Sequence, residues 1–260
     1  MKTLNQPFMP SPEKRRYSAI FALPVKNEAP ILEKSIRTVY NLAEHSLHSP
    51  WSIVVAVNDS TDNTLATAKR LADNLPNLSV RYLAESGKGR AIRDAWNSVD
   101  ADYYFFSDID LSVDWGKALP QMLRALQEGA DIVVGSRALA ESVVARPMHR
   151  KALSLGYRLL SHLVTGTRLT DLPCGCKGIN AKVAKELLPQ IQNNDWFFDS
   201  ELLLLAERNG YKIVEVPIVW EEYRYAERPK KLSLIRVSFS YLRELWRLRK
   251  GSDKYQLNRE

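Results

Sequence analysis

Apolar residues in the first half of the chain alternate between two periods. Short β-branched and aromatic runs at 18–23 (SAIFAL), 51–57 (WSIVVAV), 78–83 (LSVRYL), 103–106 (YYFF) and 131–134 (DIVV) are predicted strands. Between them, segments 31–43, 64–75, 91–99 and 115–127 carry apolar residues at helical spacing. Thr61 and Asp62 offer capping oxygens for the second helix, and Gly129 a stop for the fourth. Strands that are apolar throughout and alternate with helices predict an α/β fold, a mainly parallel sheet with helices on both faces. The second half predicts helices at about 151–164, 181–187 and 200–208, then one strand at 212–219. No Pro/Gly/Ser-rich linker divides the chain. The expected organisation is an N-terminal tail (1–17), one domain (18–222) and a C-terminal appendage (223–260).

Polar clusters follow these strands. Pro24-Val25-Lys26-Asn27-Glu28 follows the first, Asn58-Asp59-Ser60-Thr61-Asp62 the second and Ser107-Asp108-Ile109-Asp110 the fourth; Gly87-Lys88-Gly89 lies just beyond the third. In parallel sheets, ligands bind beyond the carboxyl ends of the strands, so one crevice is expected to collect all four clusters. If the segment after the fourth strand stays extended, Asp108 and Asp110 point to the same side. Two converging carboxylates need a proton or a cation, and a hard divalent ion, Mg²⁺ or Mn²⁺, fits oxygen ligands and would also bind a diphosphate.

Composition narrows the class. With 45% hydrophobic and 26% charged residues, this is an ordinary globular protein, and it has no apolar run long enough for a spanning helix. Residues 1–17 hold three prolines and no apolar stretch, so no signal peptide is expected. Cys174 and Cys176 are expected as small buried thiols in a reducing compartment. The four histidines lack metal-ligand spacing. The formal charge of +7 sits at the C-terminus, where residues 223–260 hold eleven basic against four acidic residues.

The ordered set PVKNE, VNDSTD, GKGRAI, SDIDLS and VGSR resembles family 2 glycosyltransferases of the GT-A (Rossmann-like) fold, specifically the dolichyl- or polyprenyl-phosphate sugar synthases. The similarity continues through Arg150-Lys151-Ala152-Leu153-Ser154, Asp171–Lys177 (DLPCGCK), FDSELL from Phe198 and Glu215-Val216-Pro217-Ile218. The resemblance implies an inverting, single-displacement transfer of a hexose from a UDP- or GDP-sugar to a polyprenyl or dolichyl phosphate. Pro24, Asn27 and Glu28 would border the nucleotide, Asp59 would contact its base or ribose, and Lys88 would lie near the donor. Asp108 and Asp110 would hold the metal, with Ser112 as a further polar ligand. Arg137, Arg150 and Ser154 would receive the acceptor phosphate, and the cation of Lys177 is available to phosphate as well. Asn58 stands where the family usually has Asp, Lys26 where it often has Tyr and Cys176 where Phe is common.

Chemistry supports the phosphate acceptor separately. Guanidinium forks match phosphate oxygens, and a phosphate monoester is largely dianionic near neutrality, so it needs positioning more than a base. A soluble hydroxyl acceptor would need one, with Asp199 preferred over Glu201. A non-catalytic GT-A-like membrane adaptor is the alternative from another class.

The tail residues 230–250 read as an amphipathic helix. Leu232, Ile235, Phe239, Leu242 and Trp246 form one apolar stripe; Leu234, Val237, Tyr241, Leu245 and Leu248 form a second. Arg236, Ser240, Arg243 and Arg247 form a narrow polar stripe. The expectation is a helix in a membrane interface with its arginines toward anionic headgroups. Packing on the domain or on a partner in a homo-oligomer is the alternative. Arg228–Leu232 sits where the family places a loop beside the acceptor. The tail has no nucleic-acid-binding motif, and nucleic acid is not an expected partner. The expected location is peripheral, at the cytoplasmic face of a membrane.

Overall fold

The computed structural model describes residues 17–221 and 234–250, with side chains in the second segment described from 240 onward. The elements run β1 (Ala19–Val25), α1 (Ala29–Ser46), β2 (Trp51–Asn58), α2 (Thr64–Ala72), β3 (Leu78–Leu83), α3 (Lys88–Trp96), β4 (Tyr103–Ser107) and α4 (Trp115–Gln127). They continue as β5 (Ile132–Ser136), β6 (Val143–Ala145), α5 (Met148–Thr165), β7 (Cys176–Asn180) and α6 (Ala181–Glu186). Last come α7 (Phe198–Arg208), β8 (Ile213–Pro217), β9 (Val219–Glu221) and α8 (Leu234–Lys250).

Seven strands form one sheet in the order β3-β2-β1-β4-β7-β5-β8. All neighbours are parallel except β7, which runs antiparallel to both β4 and β5. The five strands read from the first half are present, and burial explains their continuous apolar runs: all of β4 and β5, and all of β1 except Pro24, are buried. Strand order reverses at β1, between β2 and β4, which places the crevice for a ligand at the ends of β1 and β4. Gly129, in the left-handed region at φ 89°, stops α4 as expected.

The second half departs from the pattern-based expectation in two places. β7 (CKGIN) has no strand signature of its own, because a lysine and a glycine interrupt it, although it lies buried in mid-sheet. Gly178 is needed there, since a Cβ would run into the Phe105 ring. The single strand expected at 212–219 is two strands in different sheets: β8 ends at Pro217, and β9 turns away to pair with β6 in a two-stranded ribbon. Cys174 and Cys176 are free and fully buried, and burial pushes the Cys174 thiol up to about 12.

Helix α8 also differs from its expected role. Leu245 and Leu248 are fully buried, and Tyr241 stacks edge-on against Tyr157 (5.0 Å) and Phe197 (5.4 Å) while donating to the Trp196 carbonyl (2.8 Å). Arg247, expected to face headgroups, instead pairs with the fully buried Glu201 (2.8 Å) and with Glu244 (2.7 Å). A helix with two apolar stripes buries one of them, and an unpaired Glu201 in the core would be costly. Trp246, on the other stripe, is exposed. The N-terminal tail before Tyr17, the Arg228–Leu232 segment and the side chains of Leu232, Leu234, Ile235, Arg236, Val237 and Phe239 lie outside the described residues.

Candidate functional site

Three loops at the carboxyl ends of β1, β2 and β4 share one backbone peculiarity. Asn27 (φ 52°), Asp59 (φ 43°) and Leu111 (φ 46°) are the non-glycine residues with positive φ among the described residues. Asn and Asp tolerate this region; Leu111 does not readily, and such strain concentrates at functional sites. The Leu111 amide donates to the Asp108 carbonyl (3.1 Å), and the Ser112 amide donates to Asp110 Oδ1 (3.2 Å). The segment after β4 is therefore a turn, not the extended run expected. It is the turn that brings Asp108, Asp110 and Ser112 to one small crevice with Ser107, Gly175 and Trp220.

The polar clusters are tied to one another. Asn58 donates through Nδ2 to the Val25 carbonyl (2.9 Å) and accepts the Gly87 amide on Oδ1 (3.1 Å). This bridge needs a donor and an acceptor on one side chain, which an aspartate at this position would not supply. Asn27 accepts the Thr61 amide (2.7 Å), and its own amide donates to Ser60 (3.0 Å). The Glu28 amide donates to Thr64 (2.8 Å), and Glu28, at the start of α1, is buried. Asp59 is paired with Lys26 (2.5 Å), which also reaches Ser86 (3.0 Å). Pro24 lies within β1, opposite Ala56.

Behind the crevice runs a ladder of buried charges. Lys88 pairs with Asp108 (2.8 Å) and Asp199 (3.0 Å), with the Phe106 and Trp196 rings each 5.1 Å away. Burial alone would lower the Lys88 pKa; the two carboxylates outweigh it and hold the ammonium above its ordinary range. The other oxygen of Asp199 faces Lys177 (3.2 Å), which also donates to the Leu172 (2.9 Å) and Cys174 (2.5 Å) carbonyls. Lys177, read as available to phosphate, is fully buried and committed to these internal acceptors, which corrects that expectation. Asp199 is 1% exposed between two lysines, the position of a counter-ion. Two residues on in α7, Glu201 has its pKa raised by burial, opposed by the Asn193 amide and by Arg247.

Gly175 abuts Asp108 so closely that a Cβ would overlap its carboxylate. Gly175→Ala is expected to destabilise the fold by about 1–3 kcal/mol through overpacking, read as a lower urea midpoint at unchanged slope; an unchanged midpoint would show that the loop yields freely.

A second cavity, about 370 Å³, opens beside the crevice and is lined by Arg137, Arg146, Lys151, Ser154 and Arg158 together with Leu155. Asp171 holds Arg137 bidentately (Oδ2–Nε and Oδ1–Nη2, both 2.7 Å). Burial would raise the Asp171 pKa, but Arg137 prevails and holds it below the ordinary carboxylate range. The pair therefore adds stability that is present above an unfolded carboxylate pKa of about 4 and is lost as pH falls through the lower folded value. Arg146 donates to Ser154 (3.0 Å). Arg150, in the first turn of α5, is not among the residues lining this cavity. Arg146, Lys151 and Arg158 were not singled out from sequence, yet the spacing 151/154/158 places three polar groups on one helical face.

The oxygens of Asp108, Asp110 and Ser112 are of the type that a hard divalent ion takes. Among the described residues no group of three or more His, Cys, Asp or Glu could hold a metal alone. Mg²⁺-type sites commonly take one or two carboxylates and complete their shell with water and substrate phosphates, and Asp108, Asp110 and the Ser112 hydroxyl offer that.

Comparison with known proteins agrees with this architecture. The glycosyl transferase family 2 model matches residues 21–188. The glycosyltransferase AglD of Haloferax volcanii is 28% identical over 92% of this chain and 40% of its own length. The dolichyl-phosphate beta-glucosyltransferase of Saccharomyces cerevisiae is 26% identical over 77% of this chain and 66% of its own. The chain thus spans less than two thirds of either relative. Among solved structures, glucosyl-3-phosphoglycerate synthase from Mycobacterium tuberculosis, in complex with Mn²⁺, UDP and phosphoglyceric acid, superposes with a TM-score of 0.64 at 16% identity, covering 92% of this chain and 78% of that one. With the family model covering well over half of the sequence and the sheet matching a glycosyltransferase fold, this chain belongs to glycosyl transferase family 2.

Proposed function

We propose that this chain transfers a hexose from a UDP- or GDP-sugar to a polyprenyl or dolichyl phosphate, in a single inverting displacement. The observation that carries the reading is adjacency: a crevice lined by Asp108 and Asp110 lies beside a cavity lined by four cationic side chains. The yeast relative is a dolichyl-phosphate beta-glucosyltransferase, which supports the same acceptor class.

Asp108, Asp110 and Ser112 would hold Mg²⁺ or Mn²⁺, which when bound neutralises charge on the departing nucleotide diphosphate. Lys88 adds a second positive charge beside Asp108. Pro24 near the end of β1, with Asn27, Glu28 and Asp59 in the segments after β1 and β2, borders the nucleotide. Arg137, Arg146, Lys151, Arg158 and Ser154 orient the acceptor phosphate. A dianionic phosphate attacks without a base, so Asp199 serves the reaction by fixing Lys88.

Membrane contact is assigned to α5 rather than to the docked end of α8. Met148, Leu155, Leu159 and Leu163 form an exposed apolar stripe along α5, and Leu155 also lines the basic cavity. A lipid phosphate would place its head in the cavity and its chain along this stripe. No helix among the described residues is long and apolar enough to cross a membrane; an apolar stripe on a surface helix suits interfacial contact. Leu159→Glu combined with Leu163→Glu should reduce co-sedimentation with phosphatidylglycerol vesicles by about tenfold; undiminished binding would remove α5 from the interface.

The direct test offers purified protein UDP-glucose or GDP-mannose with Mn²⁺, with and without a short polyprenyl phosphate. Transfer to the lipid phosphate is expected, and Arg146→Ala should raise the acceptor KM by about tenfold with donor binding unchanged. Transfer only to soluble hydroxyl acceptors sinks the lipid-phosphate reading, and no turnover with any donor leaves a non-catalytic adaptor.

A further inference from the structure

Trp220 stands where the two halves of the site meet. It lies on β9, in register with Val144 of β6 on one side and bridged to Val113 on the other. The Glu221 amide donates to the Ser112 carbonyl (2.8 Å) and the Asp114 amide to the Val219 carbonyl (2.9 Å), which sews β9 to the chain just beyond Asp110. The indole lines the crevice of Asp108 and Asp110. Its ring centroid is also 4.6 Å from the guanidinium carbon of Arg137, which lines the basic cavity.

Arg137 is thus gripped twice. Asp171 takes its Nε–Nη2 edge in the plane of the guanidinium, and Trp220 covers its face. A carboxylate alone fixes one edge and leaves the group able to pivot about it; a ring on the face removes that freedom. The choice of tryptophan carries its own information. Among the described residues its buried indole N–H has no hydrogen-bond partner, a penalty of about 1–3 kcal/mol that phenylalanine would avoid. What the indole offers in return is the strongest cation–π face of the aromatic side chains.

We infer that Trp220 is a positioning residue for Arg137, the wall between donor crevice and acceptor cavity that aims the guanidinium at the acceptor phosphate. This rests on the acceptor class proposed above.

The test is calorimetric titration of the full chain, Trp220→Phe and Trp220→Leu with a short polyprenyl phosphate, and separately with UDP plus Mn²⁺. Acceptor affinity is expected to fall about threefold for Phe and about tenfold for Leu, with UDP–Mn²⁺ affinity within about twofold throughout. In an Arg137→Ala background, Trp220→Leu should cause no further loss. Thermal midpoints should follow a different order, since Trp220→Phe removes the unmet donor and melts at or above the wild type. Wild-type acceptor affinity in Trp220→Leu overturns the inference, as does an affinity that tracks the melting temperature or an equal loss of donor binding. A wild-type chain that binds UDP–Mn²⁺ but no polyprenyl phosphate brings down the proposed acceptor instead, and the role of Trp220 with it.

Discussion

Asp110→Asn should lower sugar transfer by about a thousandfold at saturating donor while the protein melts at its wild-type temperature. Removing one preorganised charge from a reacting centre costs about 10²–10³ in rate, and here the lost charge is half of the carboxylate pair proposed to hold the cation. Asp110 bonds within its own turn through the Ser112 amide, which an asparagine oxygen preserves. Asp108→Asn should cost as much activity but differ in stability, because Asp108 is also a partner of the buried Lys88. Transfer measured across a Mn²⁺ series separates the two effects: both variants should need far more metal, and only Asp108→Asn should also melt earlier. Wild-type turnover by Asp110→Asn at low Mn²⁺ would remove this aspartate from the metal site.

Lys177→Met should destabilise the fold by about 3–5 kcal/mol, the usual result of removing one partner from a buried ion pair. In a domain of this size that corresponds to a melting temperature lower by about 10 °C. The substitution leaves two carbonyls, Leu172 and Cys174, and one Asp199 oxygen without the ammonium that joins them. Adding Asp199→Asn to Lys177→Met should cost less than Asp199→Asn alone, a coupling of about 0.5–3 kcal/mol in a double-mutant cycle. Additive losses would mean that the lysine and aspartate act independently. Lys88 stays charged throughout: its raised pKa contributes stability that is complete below an unfolded lysine value of about 10.4 and is lost only as pH rises through the higher folded value.

What could be read in advance follows the reach of each signal. Strands buried on both faces announce themselves by continuous apolar runs, as β1, β2, β4 and β5 did, and their order with the helices implied the parallel sheet. β7 is equally buried but contains Lys177 and Gly178, one there for a buried ion pair and the other for the Phe105 ring; both reasons are tertiary and invisible in a local pattern. The docking of α8 was open for a related reason, since an amphipathic helix specifies an apolar face but not what covers it. At the site, strand ends located the polar clusters, while the convergence of Asp108 and Asp110 depends on a left-handed Leu111 that no sequence rule predicts. Arg137 and Ser154 line one cavity, but Arg150, one residue from Lys151, falls outside it because neighbours on a helix point about 100° apart.

The antiparallel β7 has a consequence for how the protein comes into being. It is the strand between β4 and β5, yet it follows both in sequence, with β6 and α5 in between. As the chain leaves the ribosome, β4 and β5 emerge with no strand to join them, and each holds an unsatisfied row of amides and carbonyls until residue 180 has been made. Open strand edges recruit other strands, including those of neighbouring nascent chains. β7 is the strand whose arrival joins β5 to the β3-β2-β1-β4 half of the sheet, with β8 added afterwards on the far side of β5, so the seam that carries Lys177 is left open to strand recruitment until late in synthesis.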